Sequence, residues 1–392
     1  MSSTARVRAF EPGDLIEVAD LWQRSFGKRG APASPAVRAH FRAIFFESPW
    51  RDPELPSWVH EDRGGRIVGF FGVVPRPMRL GARRIRAAVA TQLFVDPDAR
   101  DGFVALTLMR TFFAGPQDLS FTDGANASAQ RIWQRCGGDV LPLQSLEWTR
   151  VLRPLGHYAG RLGRSARLAR GAGALRVLGA AVDEPLGRSL RGVFGPPRQP
   201  DDVRDEPATV EALLACIDEA QPGQALRPVY DPRSLGWVLA TAASARSLGD
   251  LDVRLVRAPC GGVLGAYVVF VLPKGPANVL MIHARPHGAV SVVRALLRRA
   301  WERGAVAVRG AMDPRYITEL AAEHCTFACP GFGFLARSRD AGVLDALHRG
   351  RAELSRLDGE WWVPLGIDRR RLLADDPAPA CARHADAGAP GF

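Results

Sequence analysis

Lysine is almost missing from this chain: of 52 basic residues only Lys28 and Lys274 are lysines, and the rest are arginines. The two are not interchangeable at bidentate or stacked sites. A bias this extreme, in a chain also rich in alanine and glycine, reflects coding background rather than selection at each arginine. Cysteine is scarce too, with six residues at irregular spacing, at 136, 216, 260, 325, 329 and 381. That excludes a disulfide scaffold and reads as a reduced, cytoplasmic protein. His324, Cys325 and Cys329 lie close together, but no second ligand pair has zinc-site spacing, so no metal is expected. Long apolar runs are absent. Val263 to Leu272 is the strongest, far short of the roughly 20 residues a membrane helix needs, and Met1 to Phe10 lacks a signal core.

What is present is ordinary globular composition. The 392 residues are 47% hydrophobic and 24% charged, enough for two domains with full cores. The net charge of +11 favours an anionic partner: a phosphorylated cofactor, nucleic acid or a membrane surface. Apolar periodicity predicts helices from Leu15 and over Ala36 to Phe46, then strands at Trp58–His60, Arg66–Val74 and Ile85–Val95. A helix over Gly102–Phe113, a short strand at Leu119–Thr122 and a helix over Ala127–Cys136 follow. This mixed order indicates an α/β layer fold. Residues 150–198 hold ten arginines against only Asp183 and Glu184, and read as a basic, partly helical connector whose Arg161, Arg164, Arg167 and Arg170 face solvent. From Pro207 the order of hairpin, strand, helix, strand, helix, strand returns. No residue-level repeat accompanies it.

The stretch from Gln92 to Leu106 takes a strand into a tight loop that opens a helix. Such a loop aims free backbone N–H groups and the positive helix end at an anion, as a pyrophosphate cradle does. A second stretch, Ser120 to Gly138, gives a strand and then Asn126-x-x-Ala129-x-x-Ile132-Trp133-x-x-x-Gly137. Together, Val95, Pro97, Arg100 and Ala105 with Asn126, Ala129, Ile132 and Gly137 make the chain resemble the GNAT superfamily of acyl-coenzyme A N-acyltransferases over roughly residues 5–150. The resemblance implies two fused GNAT-like domains, each a mixed, mostly antiparallel sheet flanked by helices. Residues 1–150 would form the acyl-coenzyme A-binding domain and 151–206 the connector. Residues 207–373 would be a degenerate second copy and 374–392 a disordered tail.

The resemblance also implies site residues. Backbone at Phe94 and Val95 would hold pantetheine, and N–H groups of Arg100, Asp101, Gly102, Phe103, Val104 and Ala105 the pyrophosphate. The Asn126 side chain would contact the pantetheine arm, and Trp133 stands where the family has a tyrosine. Acetyl-coenzyme A or another acyl-coenzyme A would be the co-substrate, and a small-molecule or peptide amine the acceptor.

The departures bear on catalysis. Phe103 replaces the loop glycine, so its ring is expected to turn into the helix–sheet interface. Gly138 replaces an aromatic. Trp133 has an indole N–H that cannot act as an acid near neutral pH, and Gln92 is no base. The general base and acid are therefore unassigned. The second half keeps a loop, Arg285-Pro286-His287-Gly288-Ala289-Val290, flanked by His283, but lacks the asparagine motif. Leu357 to Trp362 reads as core packing, with Glu360 as a reserve base candidate. Two other readings accompany acyl transfer from acyl-coenzyme A. One is an aminoacyl-tRNA-dependent transferase similar to the peptidoglycan-bridge enzymes, with the basic connector on tRNA. The other is a non-catalytic binding protein.

Overall fold

In the computed structural model the described residues are 5–26, 31–99, 103–162, 169–189, 193–198, 203–219 and 225–363. The first half runs β1 (Arg6–Ala9), α1 (Leu15–Phe26), α2 (Pro35–Phe45), β2 (Trp58–Glu61), β3 (Ile67–Leu80), β4 (Arg83–Val95), α3 (Phe103–Phe113), β5 (Leu119–Ala125), α4 (Ala127–Arg135), β6 (Asp139–Val140) and β7 (Glu147–Val151). A helical pair follows, α5 (Pro154–Leu162) and α6 (Ala169–Ser189). Then come β8 (Arg204–Pro207), α7 (Val210–Asp218), β9 (Leu226–Pro228), α8 (Pro232–Ala243), β10 (Asp250–Arg257), β11 (Val263–Val271) and β12 (Pro276–Ala284). The chain continues with α9 (Ala289–Glu302), β13 (Ala307–Ala311), α10 (Ile317–Ala322), β14 (Thr326–Ala328), β15 (Gly333–Ser338) and α11 (Ala341–His348). The predicted tail at 374–392 lies outside the described residues, as do Arg164 and Arg167.

These strands form two mixed sheets flanked by helices, the α/β class expected. The first has the order β1-β2-β3-β4-β5-β15-β6, with β9 also on β3; the second has the order β14-β7-β13-β12-β11-β10-β8. Every described strand-to-strand ladder is antiparallel except β4 with β5 and β12 with β13, and a single parallel bridge joins Leu226 to Ala352. The two sheets share a plan: a hairpin, a parallel crossover through a helix, then an antiparallel strand and a short edge.

The strand that completes each sheet comes from the other half of the chain. β15 lies between β5 and β6, with Ala336 opposite Phe121. β7 lies between β13 and β14, with Arg309 opposite Thr149. Each sheet therefore buries its central parallel strand only when both halves are folded. The core follows the same logic. One apolar cluster joins α1 and α2 to Leu213, Leu235 and Phe270 of the second half and to Leu357, Trp361 and Trp362. A second fills the space between β11, β12 and α9, and a third lies between the first sheet and α3–α4.

The basic connector folds as a helical hairpin. Asp183 on α6 is buried and accepts from the backbone N–H groups of Leu155 and Gly156 at 2.9 and 2.7 Å, capping α5. A carboxylate at that end also meets the positive pole of the helix. Arg161 is exposed, as expected.

Candidate functional site

β4 and β5 separate. Their parallel ladder runs from Ala87–Leu119 to Val89–Phe121 and stops there, although β4 continues to Val95 and β5 to Ala125. Beyond the last pair, the edge of each strand that faces the gap has no neighbouring strand among the described residues. Unpaired backbone N–H and C=O groups in such a place need a partner from elsewhere.

The gap is sharpened by a bulge. On β3, Phe70 pairs with Phe94 and Gly72 with Thr91, so Gln92 and Leu93 together face Phe71. Gln92 takes φ 53°, a left-handed conformation that costs a side-chain-bearing residue about 1–2 kcal/mol. Strain of this kind persists where the surrounding structure holds it, and it concentrates at binding sites. Beside it, Thr91 is 3% exposed and its Oγ1 has no hydrogen-bond partner among the described residues. An unpaired buried hydroxyl costs about 1–3 kcal/mol.

The turn after β4 is built on Asp96. Its carboxylate accepts from the N–H of Asp98 at 3.0 Å and lies 3.3 Å from the Arg24 guanidinium, while its own N–H donates to Val68 at 2.8 Å. The turn delivers the chain to α3. Arg100, Asp101 and Gly102 lie outside the described residues. Val104 is buried, and a Cβ on Gly69 would stand 2.5 Å from it, so α3 sits close on β3. Ala105 is half-buried.

Phe103 departs from expectation. Its ring is 71% exposed rather than turned inward. The helical phase is the reason: the buried residues of α3 are Val104, Leu108, Met109, Phe112 and Phe113, and position 103 falls outside that stripe. Phe94 is buried among Phe26, Phe41 and Phe70, so only its backbone can face a ligand. Val95 is half-buried, and its carbonyl accepts from Ser25 at 3.4 Å. Asn126 is exposed and caps α4, its Oδ1 accepting from the Ala129 N–H at 3.0 Å. Trp133 is 2% exposed and packs edge-on against Phe113 at 4.9 Å. It supports α4 from inside the core rather than standing at an exposed surface.

The segment after α11 completes the site, and the sequence hinted at this only through Glu360. The Thr122 hydroxyl donates to the Glu360 carboxylate, and the Glu360 N–H donates to Asp123 Oδ1 at 2.6 Å. A Cβ at Gly124 would stand 3.0 Å from Glu360 Oε1, so glycine at 124 leaves the room that the carboxylate occupies. The segment is locked on both sides. Arg76, 1% exposed, donates to the carbonyls of Leu357 and Asp358 and stacks on Trp50 with 3.9 Å from guanidinium carbon to ring centre. Tyr230 donates to Asp358 Oδ1 at 2.5 Å, and Asp358 Oδ2 accepts from Ser355. Burial raises both the Asp358 carboxyl and the Tyr230 phenol above their ordinary values.

The second sheet opens at the matching place. The β12–β13 ladder ends at Asn278–Arg309, and Leu280 is the bulged residue between Val279 and Met281. Here the gap is filled by the chain itself. The Leu280 carbonyl accepts the N–H of Leu357 at 3.2 Å, and Leu354, Ser355 and Arg356 line the remaining space with Ala311 and Tyr316. His283 Nδ1 lies 2.7 Å from Glu353 Oε1, both buried, and His287 is exposed. In the following loop Gly288 packs directly on the Leu264 carbonyl. Among the described residues no group of three or more His, Cys, Asp or Glu is placed to hold a metal. Burial pushes the Cys325 thiol up to about 12. No helix among them is long and apolar enough to cross a membrane.

No protein-family model matches the sequence, and no curated protein matches it either. Solved structures do. A probable N-acyltransferase from Enterococcus faecalis V583 superposes with TM-score 0.56 at 9% identity, over 86% of this chain and 73% of that one. A GCN5-related N-acetyltransferase from Anabaena variabilis ATCC 29413 gives 0.53 at 11%, over 86% and 73%. One from Kribbella flavida gives 0.52 at 14%, over 87% and 72%. At these identities the likeness concerns the fold, and it extends through both sheets rather than the first alone. The split parallel pair, the bulged β4 and the turn into α3 thus belong to a chain with the fold of the GCN5-related N-acetyltransferases, the GNAT superfamily.

Proposed function

We propose that the chain transfers an acyl group from acyl-coenzyme A to an amine at the first gap. The observation that carries this reading is the open β4–β5 wedge, with the strained bulge at Gln92 and the unpartnered Thr91 hydroxyl on its β4 side. A pantetheine arm is narrow, extended and carries amides, so it can lie along Phe94 and Val95 as a missing strand would. The pyrophosphate then falls at the N-terminus of α3, which offers N–H donors and positive potential. Asn126 uses Oδ1 as its cap, which leaves its amide N–H group for the arm. The acceptor is a small-molecule or peptide amine.

Among the three readings, the coenzyme-dependent one is favoured because the features of the first gap are those an acyl-coenzyme A needs. The test is calorimetric titration of acetyl-coenzyme A into the full-length protein. The full chain is required because β15 completes the first sheet. Micromolar binding, on the order of −8 kcal/mol, is expected, and absence of binding at millimolar ligand rejects the reading.

A further inference from the structure

We propose that Glu360 is the catalytic carboxylate of the first gap: it faces the thioester and takes the proton of the acceptor amine. This rests on the acyl-coenzyme A reading above and adds the group it leaves unassigned.

The geometry comes from three independent contacts. Thr122 and Gly124 lie on β5 beyond its last pair with β4. The Glu360 carboxylate touches both, receiving the Thr122 hydroxyl and occupying the space a Gly124 side chain would take. Its backbone is pinned to Asp123 at 2.6 Å. On the opposite strand stands Thr91, whose buried Oγ1 has no partner among the described residues. A carboxylate and an unused hydroxyl thus stand on the two strands that border the place where β4 and β5 part. The sequence neighbours of Glu360 are buried and hydrogen-bonded, as Asp358 is by Tyr230 and Ser355, yet Glu360 itself is half-buried. The segment is therefore rigid while this one side chain remains reachable, the arrangement expected of a positioned base.

The step balances as follows. The acceptor nitrogen arrives as an ammonium group and gives one proton to the Glu360 carboxylate. Its freed lone pair attacks the thioester carbonyl carbon. The C–N bond forms as the C–S bond breaks, the second nitrogen proton passes to the departing thiolate, and Glu360 returns its proton to solvent.

The experiment compares the parent with Glu360→Gln and Glu360→Asp. Affinities for coenzyme A and acetyl-coenzyme A are measured by calorimetry from pH 7 to 10. A carboxylate beside the sulfur disfavours the thiolate, and one pKa unit is worth tenfold. In the parent, coenzyme A is expected to lose about tenfold relative to acetyl-coenzyme A as its thiol ionises; in Glu360→Gln the loss shrinks to threefold or less. Acetyl-coenzyme A affinity should agree within threefold in all three. With methylamine as the acceptor probe, thiol release from acetyl-coenzyme A should fall at least about 100-fold in Glu360→Gln. Glu360→Asp retains the charge, lies in between, and carries the comparison if the glutamine variant does not fold. An unchanged thiol titration, or equal rates in parent and Glu360→Gln, overturns the proposal. If acetyl-coenzyme A binds none of the proteins, the acyl-coenzyme A reading itself is rejected and this assignment goes with it.

Discussion

The two sheets open at corresponding places and meet different fates. Beyond Val89–Phe121 the first gap admits one carboxylate from the segment after α11 and keeps an unsatisfied hydroxyl. Beyond Asn278–Arg309 the second gap is stopped by the same segment, with Leu357 bonded to the bulged Leu280. A split strand pair is therefore not by itself a site. What decides is whether the freed backbone has already found a partner within the chain. The loops agree with this. Gly288 is pressed on the Leu264 carbonyl and Arg285 is paired with Glu219, whereas the turn on Asp96 leads into an α3 whose first residue is open to solvent.

The largest effect comes from removing what serves both gaps. Trp362 is 1% exposed and its Nε1 donates to the Leu357 carbonyl at 3.0 Å. Trp362→Ala should cost about 3–5 kcal/mol in denaturant unfolding, and acetyl-coenzyme A binding should weaken with it. Full stability in that variant would show that the segment is an ornament to both sheets.

The second test addresses the stopper alone. Burial opposes the charge of Glu353, but the hydrogen bond with His283 and the charges of Arg315, His283 and Arg227 outweigh it, and its carboxyl is held below the ordinary 4.5. A carboxyl lowered on folding contributes stability above its unfolded pKa and loses it as pH falls through the folded value. Glu353→Gln should therefore be less stable than the parent at pH 7, by about 1–3 kcal/mol. The difference should shrink as pH drops below about 4.5. Thermal unfolding from pH 7 to 3 measures it, and a constant difference would remove the pair from the account. Acetyl-coenzyme A affinity at pH 7 should not change, because in the second gap the bulged Leu280 is already bonded to Leu357.

A smaller effect separates the loops. Phe103 and Val290 stand near the starts of matching helices, 71% and 44% exposed. Phe103→Asp puts a carboxylate beside the predicted pyrophosphate and should weaken acetyl-coenzyme A by at least about 1 kcal/mol, roughly fivefold. Val290→Asp should leave calorimetric affinity untouched. The reverse pattern would move the ligand to the second half. Smallest of all is Phe103→Gly, which removes an exposed ring and should change stability by no more than about 0.5 kcal/mol, with affinity equal or better.

Local signals were readable from sequence, and pairing between distant segments was not. Strand β4, the loop after it and the helix that follows Asn126 each rest on neighbouring residues, and apolar periodicity finds them. Phe103 was misjudged because a family position, rather than the apolar phase of Val104, Leu108 and Phe112, guided the expectation. The exchange of β7 and β15 leaves no mark in either strand, since a buried antiparallel strand has the same alternation whichever sheet it joins. Thr91 carries no pattern at all; its interest arises only when β5 turns away. Glu360 stood out as an acid among tryptophans, but its place beside Thr122 joins positions 238 apart in sequence.

The exchange of strands also sets an order on synthesis. When β5 leaves the ribosome, the strand that will lie against it is still some two hundred codons away, and the vacant edge must wait beside α4 and the short β6. An open edge of that kind invites pairing with other chains, and domains built from such distant contacts close slowly. A prematurely terminated product, even one carrying all of β4, α3 and β5, would lack β15, the locking segment and Glu360 together. Synthesis through residue 360 thus acts as the switch for the first gap: before that point the nascent polypeptide has neither a closed first sheet nor the Glu360 carboxylate beside β5.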